Sequence, residues 1–138
     1  GSYGRSKTAN ILFAVEFDRR HKARGVRATA VHPGGIHTEL GRHVDMAKMQ
    51  AILDSAKEGG NEFQFKTVPQ GAATSVWAGI TAPAEAVAAQ YCEDCQVAEV
   101  NDHGPSATLR GGVRSYALDA DNAKKLWALS EKMVGETF

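Results

Sequence analysis

The 138-residue sequence predicts an α/β fold built on a parallel sheet, in the order α-β-α-α-β-α. Three observations lead there. Apolar residues recur at helical spacing in long segments free of internal proline, short β-prone runs separate those segments, and proline or glycine punctuates the joins. Composition agrees: 43% apolar and 23% charged residues are enough to bury one ordinary globular core.

The first helix is expected from Tyr3 to about Arg24. Ile11, Leu12, Phe13, Ala14, Val15 and Phe17 are apolar on nearly every face, which suits a helix covered on more than one side. Its tail, DRRHKARG, turns cationic before Gly25, a natural glycine cap. VRATAV, residues 26–31, then reads as a buried strand stopped by Pro33 and two glycines.

IHTELGRH, residues 36–43, is loop-like. Asp45 to about Lys57 is expected to form a second helix with Met46, Met49, Ile52, Leu53 and Ala56 on one face, stopped by Gly59 and Gly60. Thr67, with Pro69 in the first turn, opens a third helix through TVPQGAATSVWAGI that ends near Thr81 and Pro83. QYCEDCQVAEV, from Gln90 to Val100, reads as a weaker strand, and NDHGPS as a turn. Asp119 or Asp121 caps a last amphipathic helix carrying Leu126, Trp127, Leu129 and Met133.

Sixteen basic and sixteen acidic side chains cancel, so charge gives no argument for nucleic acid or an anionic membrane as partner. No apolar run reaches the ~18–20 residues of a membrane span, and two cysteines suit a reducing compartment, so the expected location is cytoplasmic. Cys92 and Cys95 form a CxxC with no second pair, and Glu93 and Asp94 between them oppose thiolate formation. Two reduced cysteines are favoured over a zinc or redox site. His32, His37 and His43 lack the spacing of a metal site and read as loop or strand-end residues. Met46 and Met49 read as ordinary packing, with lining of a substrate pocket the sharper alternative; Trp77 and Trp127 read as core or interface residues.

YGRSK holds the chemistry. Tyr3 and Lys7 stand four residues apart on one helix face, their Cβ atoms about 5–6 Å apart. At an effective dielectric of ~20, an ammonium ~5 Å away stabilises a phenolate by about 3 kcal/mol, most of the ~4 kcal/mol needed for acid–base work near neutrality. Such a pair arises readily by chance, and geometry sharpens it. If the first helix and strand are the second half of a right-handed βαβ unit, the helix runs about 30 Å away from Tyr3 and the strand returns about 23 Å. Tyr3 and Pro33 then meet at the carboxyl edge of the sheet, where open α/β folds bind ligands. PGGIHT lets the backbone turn against a flat ligand, with a hydroxyl at Thr38.

YGRSKTAN, the long helix, VHPGGIHTEL and YALDADNAKKLWALSEK together resemble the C-terminal half of short-chain dehydrogenases/reductases, nearest the retinol dehydrogenase and protochlorophyllide reductase-like branch. The resemblance implies a partial doubly wound, Rossmann-like parallel sheet over residues 1–138, and NAD or NADP as cofactor. It implies Tyr3 as catalytic acid/base and Lys7 as the group that stabilises its phenolate and bonds the nicotinamide ribose. Pro33, Gly34 and the Ile36 backbone would line the nicotinamide, Thr38 would touch the carboxamide or pyrophosphate, and residues 39–60 would form the substrate-covering segment.

The glycine-rich pyrophosphate turn of that family, and its upstream serine and asparagine, are not in this sequence. The expectation is therefore a C-terminal part without its dinucleotide-binding half, inactive and without tight cofactor binding by itself. Open strand edges and exposed apolar surface would then favour self-association or completion by the missing half. The substrate would be a small-molecule alcohol or carbonyl compound. A non-catalytic assembly or binding module is the main alternative, and a CxxC metal or redox domain a lesser one.

Overall fold

The computed structural model describes residues 2–36, 38–39, 47, 50–51, 53–54, 57, 64–103 and 111–138. Helix α1 (Ser2–His21) comes first and passes through a single 3-10 turn at Lys22–Arg24. It stops at Gly25, whose φ of +76° lets its N–H reach the Lys22 carbonyl. Strand β1 (Ala30–His32) is shorter and less buried than the run VRATAV implies. Just before it, the Ala28 carbonyl already accepts the Ala89 N–H, while Arg27 turns aside to ion-pair with Asp18 and Glu85.

Residues 47, 50, 51, 53, 54 and 57 are helical, as the second-helix reading expects, and Leu53 is half-buried. His37, His43, Met46, Met49, Ile52, Ala56, Gly59 and Gly60 lie outside the described residues, as does most of the 39–60 segment. Helix α2 (Val68–Val76) starts at Thr67 with a reciprocal cap: the Gln70 N–H bonds Thr67 Oγ1, and the Thr67 N–H bonds Gln70 Oε1. It continues as a wider π turn over Trp77–Thr81. A short α3 (Ala84–Val87), not foreseen from sequence, follows.

The expected single strand over Gln90–Val100 is instead a hairpin, β2 (Tyr91–Glu93) and β3 (Gln96–Val97). Asp94 and Cys95 form its turn, both at positive φ (+50° and +57°), the backbone twist that two-residue hairpins need. The Cys95 N–H bonds Oγ1 of buried Thr74 on α2, which holds this strained turn in place. β1 pairs parallel with β2, Val31 opposite Cys92, so the sheet is mixed, not wholly parallel. Asp119 caps α4 (Ala120–Val134) by accepting the Asn122 N–H, and Gly135 closes it at φ +74°.

Alternation along β2 splits the core. Cys92 joins Ala78 and Val87 on the α2 side, packed with Val31 and Trp77. Tyr91 joins Ala98, Val113 and Ala117 on the other side, with Ile11 of α1. The parallel pair is thus covered by helices on both faces. α4 lies along α1, where Trp127 stacks on Phe13 at 5.5 Å and receives Arg20 over its ring at 4.6 Å. α1 is nevertheless not covered on every apolar side: Phe13 remains 53% exposed.

Candidate active site

Helical spacing brings Tyr3 and Lys7 together as expected, with Lys7 Nζ 5.3 Å from the Tyr3 ring centroid. Both side chains face solvent at the amino end of α1, and the Ser6 hydroxyl bonds the Tyr3 carbonyl at 2.7 Å. The return of the chain is fixed at the opposite end of the helix. There Ala28 N–H and Arg27 Nε both donate to Asp18 Oδ1, at 3.1 and 2.9 Å. Asp18 is buried, and burial pushes its carboxyl up. The hydrogen bonds from Arg27 and Ala28 outweigh that and hold it below its ordinary value.

From that anchor, the five residues from Ala28 to Pro33 span about 17 Å of extended chain, equal to about eleven residues of helix. That length matches the rise of α1 from Asp18 back to Lys7. The loop beyond β1 turns at Gly34, whose φ of +88° is open to glycine and strained for other residues. α2 closes over this loop. A Cβ on Gly71 would fall 2.2 Å from Ile36 Cδ1, so only glycine lets the helix come so near. Ile36 is half-buried there, whereas Thr38 is exposed in a bend.

Sequence reading missed Lys66. Its N–H donates to the Gly35 carbonyl at 2.8 Å, its backbone bridges to Ile36, and its ammonium pairs with Asp94 of the hairpin. It also missed Glu93 at the carboxyl end of β2, which accepts the Gly112 N–H at 2.6 Å and draws the Gly111–Gly112 loop onto the sheet edge. Burial, with help from the Glu93 charge, pushes the Tyr91 phenol up to about 12. Only the local part of each motif, lysine before a helix cap and paired glycines, is visible in sequence. The partners are distant.

Cys92 is buried on β2 and Cys95 exposed in the turn, and both are free thiols. Among the described residues no three histidine, cysteine or acidic side chains gather to hold a metal, and no helix is long and apolar enough to cross a membrane.

The chain is similar in sequence to several known proteins. It is 39% identical over 96% of its length to short-chain dehydrogenase/reductase prx1 of Penicillium roqueforti, and 35% identical over 96% to retinol dehydrogenase 14 of Homo sapiens. It is 41% identical over 91% to a probable oxidoreductase of Streptomyces lividans. The chain is a homologue of the short-chain dehydrogenases/reductases. This short-chain dehydrogenase/reductase homologue spans 38%, 35% and 42% of those three relatives' own lengths. No family model matches it, and no solved structure does.

The homologue thus presents a phenol and an ammonium on one helix face, and a positive-φ glycine loop at the carboxyl edge of a parallel strand pair. Its sequence holds no G-x-G-x-x-G or G-x-x-x-G-x-G run of the kind that seats a dinucleotide pyrophosphate.

Proposed function

We propose that this sequence carries the proton-transfer part of an NAD(P)-dependent oxidoreductase acting on an alcohol or carbonyl group. The observation that carries the proposal is the Tyr3–Lys7 pair on one solvent-facing side of α1, taken together with the positive-φ turn at Gly34 after β1. Tyr3 would donate its hydroxyl proton to a carbonyl oxygen in reduction and accept it from the alcohol in oxidation. Lys7 would stabilise the phenolate left behind and bond the ribose. Pro33, Gly34 and Ile36 would hold the nicotinamide against the sheet edge, with Thr38 reaching the carboxamide or pyrophosphate. The cofactor, when bound, supplies the hydride chemistry. The name of the retinol dehydrogenase relative makes a long apolar alcohol a candidate substrate.

The test is Tyr3→Phe in the full-length polypeptide. Turnover is expected to fall about 10²–10⁴-fold with cofactor binding retained; unchanged turnover would sink the assignment.

A second reading, association without catalysis, draws on a mostly apolar cavity of about 730 Å³ between α1 and α4, bordered by Phe13, Phe17, Leu126, Trp127 and Val134. Sedimentation of the 138-residue chain against Phe13→Glu separates the readings. An oligomer dispersed by the substitution supports association through this face.

A further inference from the structure

We propose that Lys66 is a positioning residue that sets the shape of the Pro33–Ile36 loop for the nicotinamide; the proposal rests on the dehydrogenase reading above. Gly34, at φ +88°, carries no side chain with which to fix the turn itself. Lys66 supplies the restraint at three levels. Its amide bonds the Gly35 carbonyl, and its backbone bridges to Ile36. Its stem lies against the turn: a β-carbon on Gly34 would stand 2.8, 2.9 and 3.0 Å from Lys66 Cδ, Cε and Nζ.

The ammonium is then tied to Asp94, itself in a turn held by the bond from Cys95 N–H to buried Thr74. A long side chain that would otherwise sample many rotamers is fixed at both ends. The pair joins the loop after β1, the start of α2 and the β2–β3 hairpin into one edge. Lys66 therefore acts through Gly34 and Gly35, by restricting the backbone on which the ring would pack.

The experiment compares Lys66→Ala, Lys66→Met, Lys66→Arg and Asp94→Asn in the full-length polypeptide. Lys66→Ala should raise the cofactor KM about tenfold with kcat within about twofold, since positioning of bound cofactor, not proton transfer, is lost. Lys66→Arg should restore most of the affinity. Lys66→Met and Asp94→Asn should each give a smaller rise, and combining them should add little, as expected of partners in one interaction.

Amide hydrogen exchange in the 138-residue chain gives a readout independent of turnover. Exchange at Gly34, Gly35 and Ile36 should quicken in Lys66→Met while the amides of α4 keep their protection. An unchanged cofactor KM in Lys66→Ala, beside a Tyr3→Phe variant that is inactive, overturns the role of Lys66 and leaves the dehydrogenase reading standing. Active Tyr3→Phe overturns that reading, and the proposal with it. If Lys66→Ala does not fold, Lys66→Met and Asp94→Asn decide by the same KM and exchange criteria.

Discussion

Ile36 Cδ1 occupies the space in which residue 71 would carry its β-carbon, 2.2 Å from that position. The contact joins the turn after β1 to the first turns of α2, so the packing of a helix fixes the wall of the candidate site. Gly71→Ala should therefore cost about 1–3 kcal/mol, the usual price of overpacking. The midpoint of urea unfolding should fall accordingly. Adding Ile36→Val, which removes Cδ1, should recover part of the loss; additive losses in the double variant would show that the two residues do not share this space.

Lys7 is the second point of attack. Its ammonium lies 5.3 Å from the Tyr3 ring centroid, on the same helix face. Lys7→Met in the full-length polypeptide should reduce turnover about 10²-fold. Unchanged turnover in Lys7→Met would remove Lys7 from proton transfer.

Acid should destabilise the chain through Glu16 and Asp18. The Arg19 hydrogen bond holds Glu16 below its ordinary value against the opposing effect of burial, and Arg20 adds to it. Both folded carboxyls bind protons more weakly than their ordinary values of 4.5 and 3.8, so the unfolded chain takes up protons first. The stabilisation is present above about pH 4.5 and is lost as pH falls through the lower folded values. Glu16→Gln should lower stability at neutral pH by about 1–3 kcal/mol, since Glu16 is buried beneath three hydrogen bonds from two arginines. It should also flatten the acid dependence seen by urea unfolding.

Tyr91 should have a late phenolate transition, near 12, in an ultraviolet titration of the folded chain. Its folded value lies above the ordinary 10.0, so the unfolded chain releases this proton first, and stability should fall as pH rises from about 10 towards 12. Glu93→Gln, which keeps an acceptor for Gly112 N–H and removes the charge, should bring the transition down. An unmoved transition would leave burial as the whole cause.

Several elements were legible because their signals are local. Gly25 stops α1, Thr67 and Gln70 cap α2 reciprocally, and Asp119 opens α4, each within three or four residues of its partner. The same holds for Tyr3 and Lys7, since one helical turn places them together whatever surrounds the helix. Homology over most of the chain then bore out the likeness to short-chain dehydrogenases/reductases.

The hairpin was hidden because Asp94 and Cys95 take positive φ without the glycine that advertises such a turn, and their conformation is held by Thr74 from another element. The place of Arg27 depends on its finding Asp18 and Glu85, and the restraint on Gly34 depends on Lys66 reaching it across the fold. By itself the sequence determined α1, α2 and α4, their caps, the Tyr3–Lys7 face and the proline-glycine turn, because the spacing of neighbours along the chain is enough for each. Tertiary structure alone decided the mixed sheet, the close seat of α2 on Ile36 and the Lys66–Asp94 tie, because those depend on which distant segments are packed within a few ångströms of one another.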